Sequence, residues 1–138
     1  MDRHVVKIIT EINQCLSTCY ENGKAPYRHS HFNHPICKWI RQSLANYNLS
    51  INYCDSLCRE YTYRYGKIHK GELVLKFFKD NKPIINDIGV TVIPRCFGDY
   101  KSSIIITNSI VNDYRQYYKL AKSHLFKWTK REIPYWLK

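Results

Sequence analysis

Three side chains near the start of the sequence supply a base, an amine and a carboxylate. His4, Lys7 and Glu11 are spaced by three and four residues, so an α-helix places them next to each other on one side. An amine held beside a carboxylate in a partly dry cleft suits Schiff-base chemistry on a sugar aldehyde, with the carboxylate moving protons. An ordinary surface salt bridge between Lys7 and Glu11 is the simpler interpretation of the same spacing. A catalytic role therefore requires a fold that keeps Lys7 out of water.

A second class of candidate residues interleaves positive charge with aromatic rings. The chain has 22 Lys and Arg against 11 Asp and Glu, a formal net charge of +11, and 12 tyrosines. Segments 61–70 (YTYRYGKIHK) and 114–119 (YRQYYK) combine cations that neutralise phosphates with rings that stack on bases. The predicted DNA contacts are Arg41, Arg59, Arg64, Lys67, His69, Lys70, Tyr114, Arg115, Tyr118 and Lys122. The alternatives are a merely solvated lysine-rich surface and, at helix C-termini, cations placed by the helix dipole.

Histidine and cysteine are frequent enough to raise the question of a metal site. Segment 29–37 (HSHFNHPIC) holds three imidazoles and a thiol, but its spacing matches no zinc signature. The pairs Cys15/Cys19 and Cys54/Cys58 are one helical turn apart within apolar stripes, which favours buried thiols. We therefore predict no metal, no cofactor and no disulfide. The sequence also contains no phosphate-binding glycine loop, no GxSxG and no CxxC.

The length and the N-terminus predict one domain in an intracellular protein. A chain of 138 residues matches the common size of a single domain, here 1–138. Met1-Asp2-Arg3-His4 places charges where a signal peptide needs apolar residues, so we expect the protein not to be secreted. No run of about 18 apolar residues is present, so no membrane is expected as a partner.

The hydrophobic periodicity predicts a mainly α, compact fold that positions these residues. Five helices are predicted: one running to about Tyr20, one from Pro35 to about Asn48, one from about Ser50 to Gly66, a short one around Leu73–Phe78, and one from about Ser109. The third helix is expected to carry Arg59 and Arg64 on its outer face. Between residues 89 and 107 the branched side chains predict short strands or extended connections. The aromatic tail around Trp128 and Trp136 is expected to dock on the body, because exposed tryptophans lower solubility.

Four blocks of the sequence resemble a known family. They are HVVKIITEINQCLST, NHPICKWIRQSLANY, CREYTYRYGKIHKGE and NDYRQYYKLAKSHLFKWTKREIPYW. Together they are similar to small phage and giant-virus proteins described as pyrimidine-dimer DNA glycosylases. The resemblance implies a compact helical protein that flips a nucleotide, attacks the sugar through its own N-terminal amine and uses a glutamate of the first helix, which matches Glu11 best.

Two departures from that family separate the fold from the mechanism. Its members carry a further N-terminal segment before the block that starts here at Asp2, and this chain offers no small N-terminal Thr or Ser nucleophile. Lys7 is then the remaining candidate amine. We expect a DNA-binding protein with glycosylase or abasic-site lyase chemistry as its enzymatic form. The alternatives are a non-catalytic viral DNA-binding, packaging or virion protein, and a small nucleotide-binding enzyme. A strong salt dependence would favour a polymer over a mononucleotide.

Overall fold

The computed structural model describes residues 1–138 and confirms a mainly α fold without β-strands. Its helices are α1 (Asp2–Ser17), α2 (Pro35–Gln42), α3 (Leu44–Tyr65), α4 (Lys70–Asp80) and α5 (Ile110–Ala121), with short 3-10 turns at Gly98–Ser103, Ser123–Leu125 and Tyr135–Leu137. Residues 82–97 lie outside helices and strands and are called the extended connection; they include the first half of the segment predicted as strands or extended connections (89–107), and the 3-10 turn at Gly98–Ser103 interrupts its second half. None of the helices has the length and apolar character needed to cross a bilayer.

The core lies where α1 packs against α3 and α4. Ile9, Leu16, Leu75 and Phe78 are fully buried. The apolar spacing of 5–19 predicted the inward positions of Ile9 and Leu16, and the helix expected around Leu73–Phe78 buries Phe78 but leaves Leu73 exposed. The Asn13 amide donates a 2.8 Å hydrogen bond to the Gly71 carbonyl oxygen, which joins α1 to the start of α4. A Cβ atom at Gly71 would lie 2.6 Å from Ile9 Cγ2, so only glycine permits this approach. The beginning of α4 is thereby fixed against α1.

The boundary between α2 and α3 corrects the sequence prediction. The helix that starts at Pro35 ends at Gln42 rather than near Asn48, and Asn48 lies inside α3. Ser43 is extended (φ −154°, ψ 144°), and its hydroxyl accepts hydrogen bonds from the backbone N–H groups of Ala45 at 3.3 Å and Ile88 at 3.1 Å. The serine therefore caps α3 and also holds a distant segment. The predicted end of α3 at Gly66, with φ of 63°, is confirmed.

Side chains take the place of strand partners along the extended connection. Asn46 is bonded to Thr91 twice: its amide donates to Thr91 Oγ1 at 2.7 Å, and its carbonyl accepts from the Thr91 N–H at 2.9 Å. Gln116 bonds only backbone atoms of Ile105: its carbonyl oxygen accepts from the Ile105 N–H at 3.1 Å, and its amide donates to the Ile105 carbonyl oxygen at 2.9 Å. Because these amides satisfy the backbone, the segment stays ordered without forming a sheet.

The two ends of the sequence meet at a buried arginine. Arg64, only 7% exposed, donates to Asp2 at 2.8 Å and to Glu60 at 2.7 Å. Asp2 also accepts from the Thr129 N–H and hydroxyl, and Glu60 also accepts from Arg131. The prediction that Arg64 lies on the outer face of its helix is wrong, because two carboxylates hold it inside. The C-terminal tail docks on the body, as predicted.

Glu60→Gln should flatten the acid dependence of stability. Hydrogen bonds from Arg131, and then from Arg64, lower the pKa of Glu60 from 4.5 to about 2. A depressed pKa stabilises the fold above pH 4.5, and this stabilisation, at most about 3 kcal/mol, is lost as the pH falls towards 2. Urea unfolding at several pH values should show this loss in the wild type and not in the variant. Glu132→Gln, at a carboxylate that is 92% exposed, is the matched control. Equal pH dependence of wild type and Glu60→Gln would contradict the network.

Candidate nucleic-acid interface

The solvent-facing side of α1 lies between two groups of cationic and aromatic side chains. Val5 and Ile9 turn inward, so the helical period leaves Arg3, Lys7 and Thr10 on the outer side. The α1 face is defined here as these three residues together with their flanks. Its members are Arg3, Lys7, Thr10, Lys67, Lys70, Tyr118 and Lys122.

One flank is the turn that joins α3 to α4. His69 caps α4, since its Nδ1 accepts the Gly71 N–H at 2.9 Å. The other ring nitrogen, Nε2, faces the Val6 carbonyl oxygen at 3.1 Å and must therefore carry the proton and donate to it. Lys67 and Lys70, on either side of His69, are exposed and form no salt bridge. His69 was predicted to contact DNA phosphates. In the structure both of its ring nitrogens bond the backbone, so His69 positions the two lysines beside α1.

This flank borders an open cleft of about 570 Å³. Its polar lining comes from α1, α3, the start of α4 and the adjoining loops. These polar residues are Thr10, Tyr27, Tyr61, Lys67, His69 and Lys70. Ile68 at its rim is 69% exposed, so water reaches the cleft freely. The arrangement fits a ligand that passes across the cleft better than one enclosed in it.

The other flank is the contact between α1 and α5. His4 Nδ1 lies 2.7 Å from the Tyr118 hydroxyl, and the two rings meet edge to face. Burial lowers the pKa of His4, and nearby positive charges, Lys122 among them, lower it further. Burial also raises the pKa of Tyr118. Both groups are therefore uncharged at neutral pH, and the positive charge on this flank comes from Lys122.

The candidate catalytic residues do share one side of α1, but in water. Lys7 and Glu11 form a 2.8 Å salt bridge with side chains 72% and 48% exposed. This is the surface ion pair that the spacing also predicted, and the dry cleft expected around a reactive lysine is missing. His4 lies beside them and points to Tyr118. These contacts place the charges of Lys7 and Glu11 on the surface and do not assemble the three side chains into a catalytic group.

Three predicted DNA contacts lie outside the α1 face. Arg41 stacks on the Phe32 ring at 3.7 Å and donates to the Phe32 carbonyl, so it orders the loop before α2. Arg59 pairs with Asp55, which also binds Lys79 at the far end of α4. Arg64 is buried, as described above.

The remaining predicted contacts lie along α5 and line a second cleft. Tyr114 is mainly structural, because its hydroxyl accepts from the Cys96 N–H at 3.1 Å and donates to the Pro94 carbonyl at 3.2 Å. The guanidinium of Arg115 lies 5.5 Å from the ring centre of Trp136. Trp136 was not among the predicted contacts, because its position depends on how the tail folds back. Arg3 could have been found, since it is one turn before Lys7.

The histidine-rich segment has structural roles. His29 Nε2 contacts the Tyr20 carbonyl at 2.8 Å, and His34 caps α2 by accepting the Ile36 N–H. No three His, Cys, Asp or Glu side chains lie together as metal ligands do. Cys54 and Cys58 are buried core thiols, as predicted, whereas Cys15 and Cys19 are only partly buried.

No known protein-family model matches this chain, and neither does any curated protein or solved structure. The charges, contacts and clefts of the molecule itself are therefore the basis for assigning a function.

We expect Lys7 not to form a covalent adduct with a sugar aldehyde, because it is exposed and paired with Glu11. The measurement is borohydride trapping on DNA that contains an abasic site, followed by separation of protein–DNA adducts. Lys76→Ala is the matched control, since Lys76 is also 72% exposed and also pairs with a carboxylate four residues later. An adduct lost in Lys7→Ala and kept in Lys76→Ala would establish Lys7 as a nucleophile and contradict this expectation.

Proposed function

We propose that this protein binds DNA, with the α1 face contacting the phosphate backbone. The observation that carries the proposal is the pair Lys67 and Lys70, exposed, free of salt bridges and held against α1 by His69. Lys122 on the opposite flank also forms no salt bridge, although it is only partly exposed and its ammonium lies 5.5 Å from the Tyr117 ring centre. Lysines in such positions neutralise successive phosphates and release the counterions condensed on them.

The distribution of ion pairs supports this surface over the rest of the molecule. Of the 22 lysines and arginines, eight form salt bridges, which leaves a large unpaired surplus. On the α1 face, Arg3, Lys67, Lys70 and Lys122 all belong to the surplus. The nearby carboxylates are already engaged, Asp2 by Arg64 and Glu11 by Lys7. A ligand there meets positive charge with little competition from within the protein.

The shape of the site favours a polymer over a mononucleotide. A small phosphorylated molecule needs a pocket that surrounds it. The cleft beside Lys67 is open, and the cationic residues continue across α1 to Lys122 on the other flank. A DNA strand can contact both flanks, which one mononucleotide in the open cleft would not.

The proposal needs no bond-making step. Lys7 is solvated and ion-paired, which supports the non-catalytic alternative over glycosylase or lyase chemistry. The resemblance to the pyrimidine-dimer glycosylase family supports the same partner, DNA, by a separate route. A viral role in packaging or in the virion would use the same surface.

Loss of the flanking lysines should reduce both the affinity for DNA and its dependence on salt. Fluorescence anisotropy with a labelled duplex, between about 50 and 200 mM NaCl, gives the slope of log affinity against log salt concentration. For Lys67→Ala/Lys70→Ala/Lys122→Ala we expect the slope to shrink by about 2 to 3, since each phosphate contact contributes about 0.9.

A control triple variant separates this face from net charge alone. Lys38→Ala/Lys82→Ala/Lys101→Ala removes the same charge from exposed, unpaired lysines that lie elsewhere. Its slope should stay close to that of the wild type. Equal losses in the two triple variants would show that the binding surface is not the α1 face. Absence of duplex binding at every salt concentration would overturn the proposed function.

A further inference from the structure

The second cleft of the molecule lies between α5, the extended connection and the C-terminal tail. It measures about 450 Å³ and is lined by Ile93, Ile110, Val111, Tyr114, Arg115, Tyr118 and Trp136. Most of this lining is apolar or aromatic. Apolar surface that is left open to water in a strongly charged protein is often a binding site.

The one charged residue of the cleft lining is cationic. Arg115 lines the cleft directly, whereas Lys119, near the end of α5, and Lys122, just after it, are not part of the lining. No carboxylate lines the cleft. Asp113, the acidic residue of α5, is buried and occupied by Arg95 at 2.6 Å and by Thr107. An apolar peptide would make no use of the charge of Arg115, and an acidic peptide would place its carboxylates against the aromatic rings of the cleft.

Arg115 and the aromatic residues form an arrangement suited to a flat ring. The guanidinium lies 5.5 Å from the Trp136 ring centre and 5.4 Å from that of Tyr135, and it bonds the Tyr135 hydroxyl at 3.2 Å. This contact holds the tail in place and leaves Trp136 in the wall of the cleft. Aromatic rings and guanidinium planes are the groups on which nucleobases stack.

Tyr118 connects the cleft to the α1 face. It lines the cleft and its hydroxyl contacts His4 on α1. A strand whose phosphates follow Lys122 and α1 would therefore carry its bases past the mouth of the cleft. Bases inside a duplex are stacked and paired, so only an unpaired base can enter.

We propose that this cleft binds an unpaired nucleobase, so that the protein contacts single-stranded DNA in a way that it cannot contact a duplex. The inference rests on the proposed DNA binding and adds the base as the second recognised group. Phosphate contacts serve both forms of DNA, whereas stacking on Trp136 serves the single strand alone.

The test compares a single-stranded oligonucleotide, its duplex, and a strand of the same length made of tetrahydrofuran abasic units. Trp136→Ala should weaken binding of the single strand by about 5- to 100-fold, the range for losing one stacked base. Binding of the duplex and of the abasic strand should change little. Ile133→Ala, in the same tail but 51% exposed and outside the cleft lining, should spare most of the single-strand affinity and so controls for shortening a side chain of the tail.

A second readout covers a Trp136→Ala variant that folds poorly. Trp136→Phe keeps an aromatic ring and should retain most of the affinity. Single-stranded DNA should quench the tryptophan fluorescence of a Trp128→Phe variant, and this quenching should be largely lost in Trp128→Phe/Trp136→Phe, since the remaining Trp39 is buried. Equal effects of Trp136→Ala on single strand and duplex, or quenching that persists in Trp128→Phe/Trp136→Phe, would overturn the base-binding inference while leaving duplex binding intact. Failure of every DNA to bind would instead reject the proposed function.

Discussion

The guanidinium of Arg64, held between Asp2 and Glu60, ties both ends of the sequence to the C-terminal end of α3. Asp2 brings in the start of α1 and, through Thr129, the C-terminal tail. Removing one partner of a buried ion pair commonly costs about 3–5 kcal/mol, because the other charge is left without compensation. This contact fixes the start of α1 and the part of the tail around Thr129, whereas Trp136 is held by Arg115. The surface proposed for DNA is therefore built on a buried charge that does not itself touch the ligand.

The ion pairs of the fold also determine where unpaired positive charge lies. Carboxylates are half as numerous as lysines and arginines, and those at the centre of the molecule form salt bridges with Arg64, Arg95 and Arg131. The buried guanidinium of Arg64 is thus neutralised within the fold, and exposed lysines such as Lys67 and Lys70 form no salt bridge. Flexible lysines in water suit contacts to a phosphate backbone, which demand charge more than fixed geometry.

Local patterns predicted the helices well, and tertiary contacts explain where they did not. The apolar stripes of α1, α3 and α5 and the glycine at the end of α3 were visible in the sequence, because they depend on spacing along one helix. Ser43 could not be recognised as a cap, since a segment more than 40 residues away completes its role through Ile88. Arg64 was misplaced for the same reason: its partner Asp2 is distant in sequence.

Within the candidate site, the basic turn at 67–70 could be recognised from its composition. Its contact with α1, through His69 and the Val6 carbonyl oxygen, could be seen only in the folded structure.

The assignment of the α1 face is tested most directly by mapping amide chemical shifts in ¹⁵N-labelled protein during titration with a short DNA. The account predicts that the largest changes fall on residues 3–10, 67–71 and 118–122, at low salt, and fade as salt is added. Amides around Arg59 and in the loop at 28–34 should move little. Changes concentrated in that loop or around Arg59, with residues 67–71 unaffected, would contradict the account.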